Sequence, residues 1–201
     1  GSGGISISKN IIIRTHLKII FFFPLMIPHI ICYLISKKKR IIDSDIVRWG
    51  YVRKSVDKNN CLKSLIILLV EQKDFRTQFY FRIGTIRNLL QVFLKPIANI
   101  NFEGCEIGPG FILMHGFGVV LNGAAKIGSN CMMLHNVTVG TVHGDDFPVI
   151  GDNVYIGAGA IILGDVHIGN NVKIGAGAIV VDDVPDGSTV VGEKAHVVIQ
   201  K

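Results

Sequence analysis

The sequence predicts a mainly β protein, in which an α-helical N-terminal region precedes a parallel β-solenoid. The chain has 201 residues and is 49% hydrophobic, which excludes a disordered polypeptide. Apolar residues recur with helical spacing before Lys95-Pro96 and every six residues after it, where most of the 23 glycines also lie. We therefore predict a helical, hydrophobic and basic region over 5–96 and a solenoid over 97–201. We expect residues 1–4 to be a cloning remnant.

The first element is an apolar segment over residues 11–35, followed by the basic run Lys37 to Arg40. Pro24 and Pro28 are expected to break this segment into short helical pieces, so a clean membrane span is not expected. The basic flank favours an anionic membrane surface. Two alternatives stay open: peripheral attachment at the inner face of a membrane, and packing within a soluble oligomer.

A second helix is predicted over residues 75–94, FRTQFYFRIGTIRNLLQVFL, leading into the solenoid. Its apolar residues share one helical face: Phe75, Phe79, Ile83, Ile86, Leu90 and Phe93. The arginines of this segment are expected on a solvated face: Arg76, Arg82 and Arg87.

The period of six is the strongest pattern in the chain. The repeating apolar residues are Ile150, Ile156, Ile162, Ile168, Ile174 and Val180, and four of them precede glycine. Two earlier ladders run Ile107, Leu113, Val119 and Ile127, Met133, Val139, with insertions expected at about 120–126 and 140–149. This period fits neither a helix nor a simple alternating strand, but it fits a solenoid that turns a corner every six residues.

The tandem I-G-x-x-[VA]-x units resemble the hexapeptide-repeat acyltransferases. GPGFILMHGFGVV, IGSNCMMLHNVTVG and FPVIGDNVYIGAGAIILGDVHIG are similar to the serine acetyltransferase branch. The resemblance implies a left-handed parallel β-helix, a homotrimer that could pair into a dimer of trimers, and acetyl-CoA as the acetyl donor. By the same resemblance His115 is the catalytic general base, because acetyl transfer to a hydroxyl needs a group that accepts the hydroxyl proton.

The resemblance also assigns the donor part of the site. Glycine-alanine units are expected to line the coenzyme A arm, and two lysines to meet its phosphates: Gly157, Ala158, Gly159, Ala160, Gly175, Ala176, Lys173 and Lys194. The acceptor contacts are expected from position and chemistry and not from the resemblance, since the family has a different polar residue in place of His135: they are His135, His143, Asp145 and Asp146. Gly116 and Gly118 are either oxyanion donors or simply corner glycines.

Two departures from the serine-specific pattern shape the expected acceptor. The aspartate that orients the family's histidine is replaced at or beside Ile100, with Asn99, Asn101 and Glu103 nearby. Asp146 and Phe147 replace the arginine and histidine that meet the amino acid. Since a carboxylate repels a carboxylate, we expect a sugar hydroxyl in polysaccharide or glycan synthesis as the acceptor. The alternatives are serine O-acetylation for cysteine biosynthesis and a non-catalytic trimeric scaffold.

Composition and residue spacing limit the expected compartment, metal content and partners of the protein. Four widely spaced cysteines form no paired framework, so a reducing cytoplasm is expected. The seven histidines lack metal-ligand spacing, and no metal site is expected. The net charge of +6 accompanies no nucleic-acid-binding motif, so nucleic acid is not an expected partner.

Overall fold

A computed structural model describes residues 3–96, 100–102 and 104–194, with side chains from residue 15 onward except residue 16. The chain divides into two compact units, Gly1–Ala98 and Asn99–Lys201. The first contains the helices and the second contains every strand of the described chain.

The described part of the helical unit, residues 3–96, contains five α-helices and one 3-10 turn. The helices are α1 (Gly3–Ile35), α2 (Lys39–Val52), α3 (Cys61–Glu71), α4 (Lys73–Ile83) and α5 (Arg87–Leu90), and the 3-10 turn is Gly84–Ile86. The prediction that prolines would break the first segment is wrong, because Pro24 and Pro28 lie inside α1. Each proline removes only one backbone donor, and the turns on either side keep their hydrogen bonds.

One side of α1 packs into the unit and the other is exposed. Met26, His29 and Tyr33 are buried. The exposed apolar side chains of α1 are Leu17, Ile20, Phe21, Phe23, Ile27, Ile31, Leu34 and Ile35. By length and composition the stretch Leu17–Ile35 is apolar enough to cross a membrane, but a core helix or an N-terminal signal segment meets the same criterion. Both sequence-based alternatives for this segment therefore stay open.

The predicted helix over 75–94 is interrupted in the structure. It ends at Gly84, whose φ of +74° is costly for residues with a side chain, and the chain continues as a 3-10 turn. Phe75, Phe79 and Leu90 are buried as predicted, but Ile86 and Phe93 are exposed.

The expectation of a solvated arginine face is wrong for Arg82. This side chain is buried, and its Nε donates to Asp45 Oδ2 at 2.9 Å while Nη2 donates to Oδ1 at 3.2 Å. The pair lies in a core that also contains the indole of Trp49, which donates to Gln78 Oε1 at 3.3 Å. The surrounding amphipathic helices supply enough apolar cover for one paired charge.

The second unit is a parallel solenoid of about four coils. Each coil contributes one short strand to each of three sheets, in the orders β1-β4-β7-β10, β2-β5-β8-β11-β13 and β3-β6-β9-β12. The strands are β1 (Glu106–Ile107), β2 (Ile112–Leu113), β3 (Val120–Leu121), β4 (Lys126–Ile127), β5 (Met132–Met133), β6 (Thr138–Gly140), β7 (Val149–Ile150), β8 (Tyr155–Ile156), β9 (Ile161–Leu163), β10 (His167–Ile168), β11 (Lys173–Ile174), β12 (Ile179–Val180) and β13 (Thr189–Val190).

The apolar residues of the six-residue ladder form the interior of the solenoid. Ile150, Ile156, Ile162, Ile168, Ile174 and Val180 are all buried. The residue before each of them points outward, as the two-residue period of a strand requires. The ladder therefore sets both the core and the register between coils.

The first coil differs from its neighbours by two extra residues. Ile112 pairs with Met132, twenty residues later, whereas Val120 pairs with Thr138, eighteen residues later. The extra residues lie between β2 and β3, so the ladder runs from Leu113 to Leu121 and not to Val119. The predicted insertion at 120–126 is therefore wrong, whereas the loop predicted near 140–149 lies between β6 and β7.

Candidate functional site

His115 stands on the widened corner between β2 and β3. Its side chain is exposed, and its backbone is left-handed with a φ of +54°. The Phe117 N–H donates to the His115 carbonyl at 2.7 Å, which closes a tight turn directly after the histidine. The other described non-glycine residues with positive φ are all asparagines. The two extra residues thus let the chain project one imidazole from an otherwise regular solenoid edge.

Two glycines make this corner sterically feasible. A Cβ on Gly116 would lie 2.3 Å from Cγ and Cδ2 of Leu113, which is fully buried. Gly118 has a φ of +69°, and a Cβ there would lie 2.4 Å from Asn136 Oδ1. Packing alone therefore explains both glycines as corner residues.

The strand register aligns one corner position from each of four coils. Ile112–Leu113 pairs with Met132–Met133, these pair with Tyr155–Ile156, and these with Lys173–Ile174. Backbone hydrogen bonds carry this register into the corner, because the Asn136 N–H donates to the Phe117 carbonyl, that of Gly159 to His135 and that of Gly177 to Ala158. The corner column is therefore Phe117, with His115 two residues before it on the widened corner, followed by His135, Ala158 and Ala176. Successive coils are about 4.8 Å apart, so the column is roughly 14 Å long from first to last.

His135 is the second imidazole of the corner column. Its side chain is partly buried, and its Nδ1 is inaccessible and has no hydrogen-bond partner among the described residues. A buried nitrogen without a partner is costly, and such groups commonly acquire a partner from a ligand or another chain. His135 therefore lies beside His115 with unused hydrogen-bonding capacity.

The glycine-alanine units provide an open and narrow surface at the other end of the column. A Cβ on Gly157 would lie 2.6 Å from the Ala176 nitrogen, so this residue is needed for contact between coils. A Cβ on Gly159 or Gly177 would meet nothing within 4 Å, and the glycines there leave open space.

The backbone at these units leaves a few groups available to a ligand. Gly157 and Gly159 donate to Ile174 and His135 carbonyls, at 2.8 and 2.9 Å. The N–H groups of Ala158 and Ala176 have no such bond in the described chain. Both belong to the corner column, so this surface offers two backbone donors to a ligand. Gly175 and Ala160 act mainly in coil packing, since Ala160 is buried and Gly175 donates to Val190 O.

The two lysines lie on the outside of the last coils. Lys173 is exposed on β11, between Tyr155 and Thr189 of the neighbouring strands. Lys194 is exposed near the end of the described chain. Gly192, two residues before it, approaches Gly177 and Ala178 closely. Both cations are thus near the end of the corner column that is far from His115.

The loop between β6 and β7 is organised by Asp146. Its Oδ1 accepts hydrogen bonds from the backbone N–H of Val142, His143 and Gly144 at 3.0, 2.9 and 3.2 Å. Slight desolvation acts to raise the pKa of Asp146, but the backbone donors outweigh it and hold that pKa below its usual value. The prediction of Asp146 as an acceptor contact is not supported by this geometry, because the carboxylate already binds its own loop.

The remaining predicted acceptor contacts, His143 and Asp145, are exposed on the same loop. Near this loop, a Cβ on Gly164 would come within 3.6 Å of Asp146 Oδ2. The aligned position of the missing orienting aspartate, Ile100, is apolar, while Asn99 and Glu103 lie outside the described residues.

The solenoid carries two surface cavities, of about 380 and 510 Å³. The first lies beside His167 and Asp183, and the second beside Asn122 and Thr141. His115 lines neither of these two cavities. Among the described residues, no group of three or more histidine, cysteine or carboxylate side chains is placed to hold a metal ion.

Comparison with known proteins identifies the relatives of this chain. The family model "Bacterial transferase hexapeptide (six repeats)" matches residues 147–182. The crystal structure of Neisseria gonorrhoeae serine acetyltransferase in complex with serine is 34% identical, with a TM-score of 0.64 over 79% of this chain and 68% of that one. The chain belongs to the serine acetyltransferase family. The soybean enzyme complexed with serine is also 34% identical, with a TM-score of 0.59 over 77% and 67% of the two chains.

Curated serine acetyltransferases agree with this result. The Staphylococcus xylosus enzyme is 44% identical over 108 residues, or 49% of this chain and 50% of that one. The chloroplastic serine acetyltransferase 1 of Arabidopsis thaliana is 47% identical over 98 residues, or 47% and 31% of the two chains. The chain thus spans about a third to a half of the curated relatives that it matches.

These comparisons confirm the predicted left-handed parallel β-helix and correct the predicted acceptor. The prediction of a sugar O-acetyltransferase is wrong, because the relatives and the solved structures are consistently serine acetyltransferases. Its argument assumed that the Asp146 carboxylate faces the acceptor. In the structure that carboxylate instead accepts hydrogen bonds from backbone donors of its own loop.

Proposed function

We propose that this protein is an acetyl-CoA-dependent serine O-acetyltransferase, with His115 as the general base and the activity in the solenoid unit. Family membership supports the reaction class. The observation that carries the proposal is the corner column: an exposed imidazole on a widened corner, aligned with small residues that leave room for the donor. A non-catalytic scaffold would have no need for this arrangement.

In the proposed reaction His115 acts twice, first as a general base and then as a general acid. His115 takes the proton from the serine hydroxyl as its oxygen attacks the thioester carbonyl. The carbon–sulfur bond then breaks, and the imidazolium returns that proton to the departing thiolate. The products are O-acetylserine and free coenzyme A, so atoms and charge balance and His115 ends neutral. The exposure of the side chain allows both substrates to reach it.

The donor lies, in this proposal, along the corner column. Ala176 and Ala158 offer backbone N–H groups to the pantetheine arm, and Gly159 and Gly177 leave the surface open. Lys173 and Lys194 are near the far end, where the nucleotide phosphates would lie. A related serine acetyltransferase, 27% identical with a TM-score of 0.61, has been solved in complex with CoA.

The acceptor needs partners for both a carboxylate and an ammonium group. His135 has an unpartnered Nδ1 beside His115, and His143 is exposed on the neighbouring loop. We assign the carboxylate to these imidazoles and the ammonium to Asp145, in place of the arginine and histidine replaced by Asp146 and Phe147. Asp146 shapes the loop that presents His143 and Asp145.

We propose a homotrimeric, cytoplasmic enzyme whose acceptor groove is completed by a neighbouring subunit. The exposed position of His115 on the widened corner supports a site shared between subunits. A pairing of trimers and peripheral membrane attachment of α1 are separate proposals. Sedimentation equilibrium tests the first, and flotation with vesicles of anionic lipid tests the second.

The acceptor is tested by measuring release of free coenzyme A with L-serine, L-threonine and serine methyl ester, and identifying the acetylated product by mass spectrometry. We expect turnover with L-serine and a strongly raised KM with the ester, which lacks the carboxylate. His135→Ala and His143→Ala should raise the KM for serine more than they lower kcat. Equal use of serine and its ester would contradict the assigned carboxylate contacts, and no turnover with serine would contradict the proposed function.

A further inference from the structure

The helical unit contains a cavity of about 780 Å³ between α1 and α3, whose residues have no part in acetyl transfer. Its volume lies within the usual range for small-molecule sites. The cavity is lined by residues of α1, of α3 and of the segment that joins α2 to α3. It belongs wholly to the helical unit.

The cavity is apolar along its length. Ile19 of α1 and Leu62, Ile66 and Ile67 of α3 line it. Ile66 and Ile67 are partly exposed and Leu62 is exposed, although they lie on a helix whose other face packs into the core. A surface of this kind gains free energy by covering an alkyl chain.

One end of the cavity is cationic. Arg53 and Lys63 line it there, and the Arg53 Nε is buried without a hydrogen-bond partner among the described residues. The Arg53 backbone is fixed, because its N–H donates to the Trp49 carbonyl at 2.8 Å as the C-cap of α2. The same end holds the N-terminus of the eleven-residue helix α3, capped by Asn60, whose dipole adds positive potential.

The opposite end of the cavity carries a carboxylate, which disfavours an anionic group there. Glu71, the last residue of α3, accepts a hydrogen bond from the Thr15 hydroxyl of α1. The carboxylate places negative charge about 16 Å from the capped end, given the rise of a helix. Along α3 the lining therefore passes from the cation Lys63, through apolar side chains, to the carboxylate of Glu71.

We propose that this cavity binds an anionic amphiphile, a single medium-length alkyl chain that carries a carboxylate or phosphate head. The head pairs with the Arg53 guanidinium and Lys63, and the chain lies along Ile66 and Ile67. The two cationic side chains then gain an anionic partner, which a neutral or cationic head does not supply. Free fatty acids and alkyl phosphates from lipid breakdown are the two natural sources of this chemistry.

The test is isothermal titration of the intact 201-residue chain with dodecanoate and with dodecyl phosphate, each below its critical micelle concentration. We expect saturable binding of at least one of them, and the preferred head group identifies the source. Dodecyltrimethylammonium, which has the same tail and the opposite charge, should not bind. Equal binding of the cationic amphiphile would overturn the proposal, as would no binding of either anion.

Variants distinguish binding in this cavity from non-specific adsorption of the amphiphile to the protein surface. Arg53→Gln and Lys63→Gln should each weaken binding about tenfold or more, the loss expected for a charged hydrogen bond. Lys54→Gln is the matched control, since it removes the same charge from the next residue, which is exposed and outside the cavity lining. Ile67→Trp fills the cavity and should abolish binding. Unchanged affinity in both charge variants, or an equal loss in Lys54→Gln, would refute the site.

Discussion

Replacing Asp45 by alanine should destabilise the helical unit more than any surface change. The Asp45 and Arg82 side chains are 2% and 3% exposed, and two hydrogen bonds join them at 2.9 and 3.2 Å. The substitution leaves a guanidinium buried without its carboxylate, which costs about 3–5 kcal/mol. Trp49 is the only tryptophan of the chain and lies one helical turn after Asp45, so its fluorescence during urea unfolding reports this unit.

Two further variants decide whether the buried charge is responsible. Asp45→Leu combined with Arg82→Met removes both charges, and should recover most of the lost stability, to within about 1–2 kcal/mol of wild type. Lys39→Ala removes a partly exposed ion pair with Asp43 and should cost less than about 1 kcal/mol. A loss below about 1 kcal/mol for Asp45→Ala, or a double variant no more stable than the single one, would refute the reasoning.

Three other changes test the site and the fold. Gly116→Ala should lower kcat sharply, because its Cβ would overlap buried Leu113 and displace His115. Gly192→Ala is the control: its Cβ meets only ordinary contacts, so this variant should stay active. Equal activities of the two variants would contradict the packing argument. Asp146→Asn should speed hydrogen exchange of the loop amides at neutral pH. Because the pKa of Asp146 is lowered in the folded protein, the hydrogen-exchange protection of the wild-type loop should persist above about pH 4 and be lost as the pH falls further. Unchanged protection of the loop in Asp146→Asn would count against the loop assignment. Burial lowers the pKa of His29 below 6.5, so the unfolded chain binds a proton there that the folded chain does not. The free energy of unfolding should therefore fall below pH 6.5, by up to about 1.4 kcal/mol per pH unit, and His29→Gln should abolish this dependence; an unchanged slope would refute it.

The regular part of the fold could be predicted because the signal is repetitive. Each coil places an apolar residue at the same interior position, so six similar units specify one register. The points at which the repeat becomes irregular were harder to predict from the sequence. Val119 and Leu121 are both buried, and only the pairing of Val120 with Thr138 shows that the ladder continues through Leu121.

The helical unit shows where local rules give way to tertiary packing. Pro24 and Pro28 are unfavourable inside a helix, yet α1 continues through them, since the cost of each is confined to one turn. Arg82 has the spacing of a surface residue but is buried, because Asp45 of another helix supplies its partner. No pattern within the segment 75–94 contains that information.

The sequence predicted which residues belong to the candidate site better than it predicted how they are arranged. His115 follows from the motif that surrounds it, but its place at the end of the column that contains His135 and Ala158 depends on the pairing between coils. Asp146 was assigned to the acceptor from its charge alone. Its actual partners are backbone N–H groups two to four residues earlier, which residue identity does not reveal.

The most direct test of the central claim is the rate of acetyl transfer from acetyl-CoA to L-serine by wild type and His115→Ala. We expect kcat to fall by about 10²- to 10⁴-fold in the variant, with little change in the KM for acetyl-CoA, because a general base contributes by this amount to the chemical step. His167→Ala is the control and should remain active, because His167 is an exposed histidine on β10, which belongs to a different sheet from the strands that lead into the corner column. Turnover that persists in His115→Ala would contradict the account, and the base would then have to be sought elsewhere.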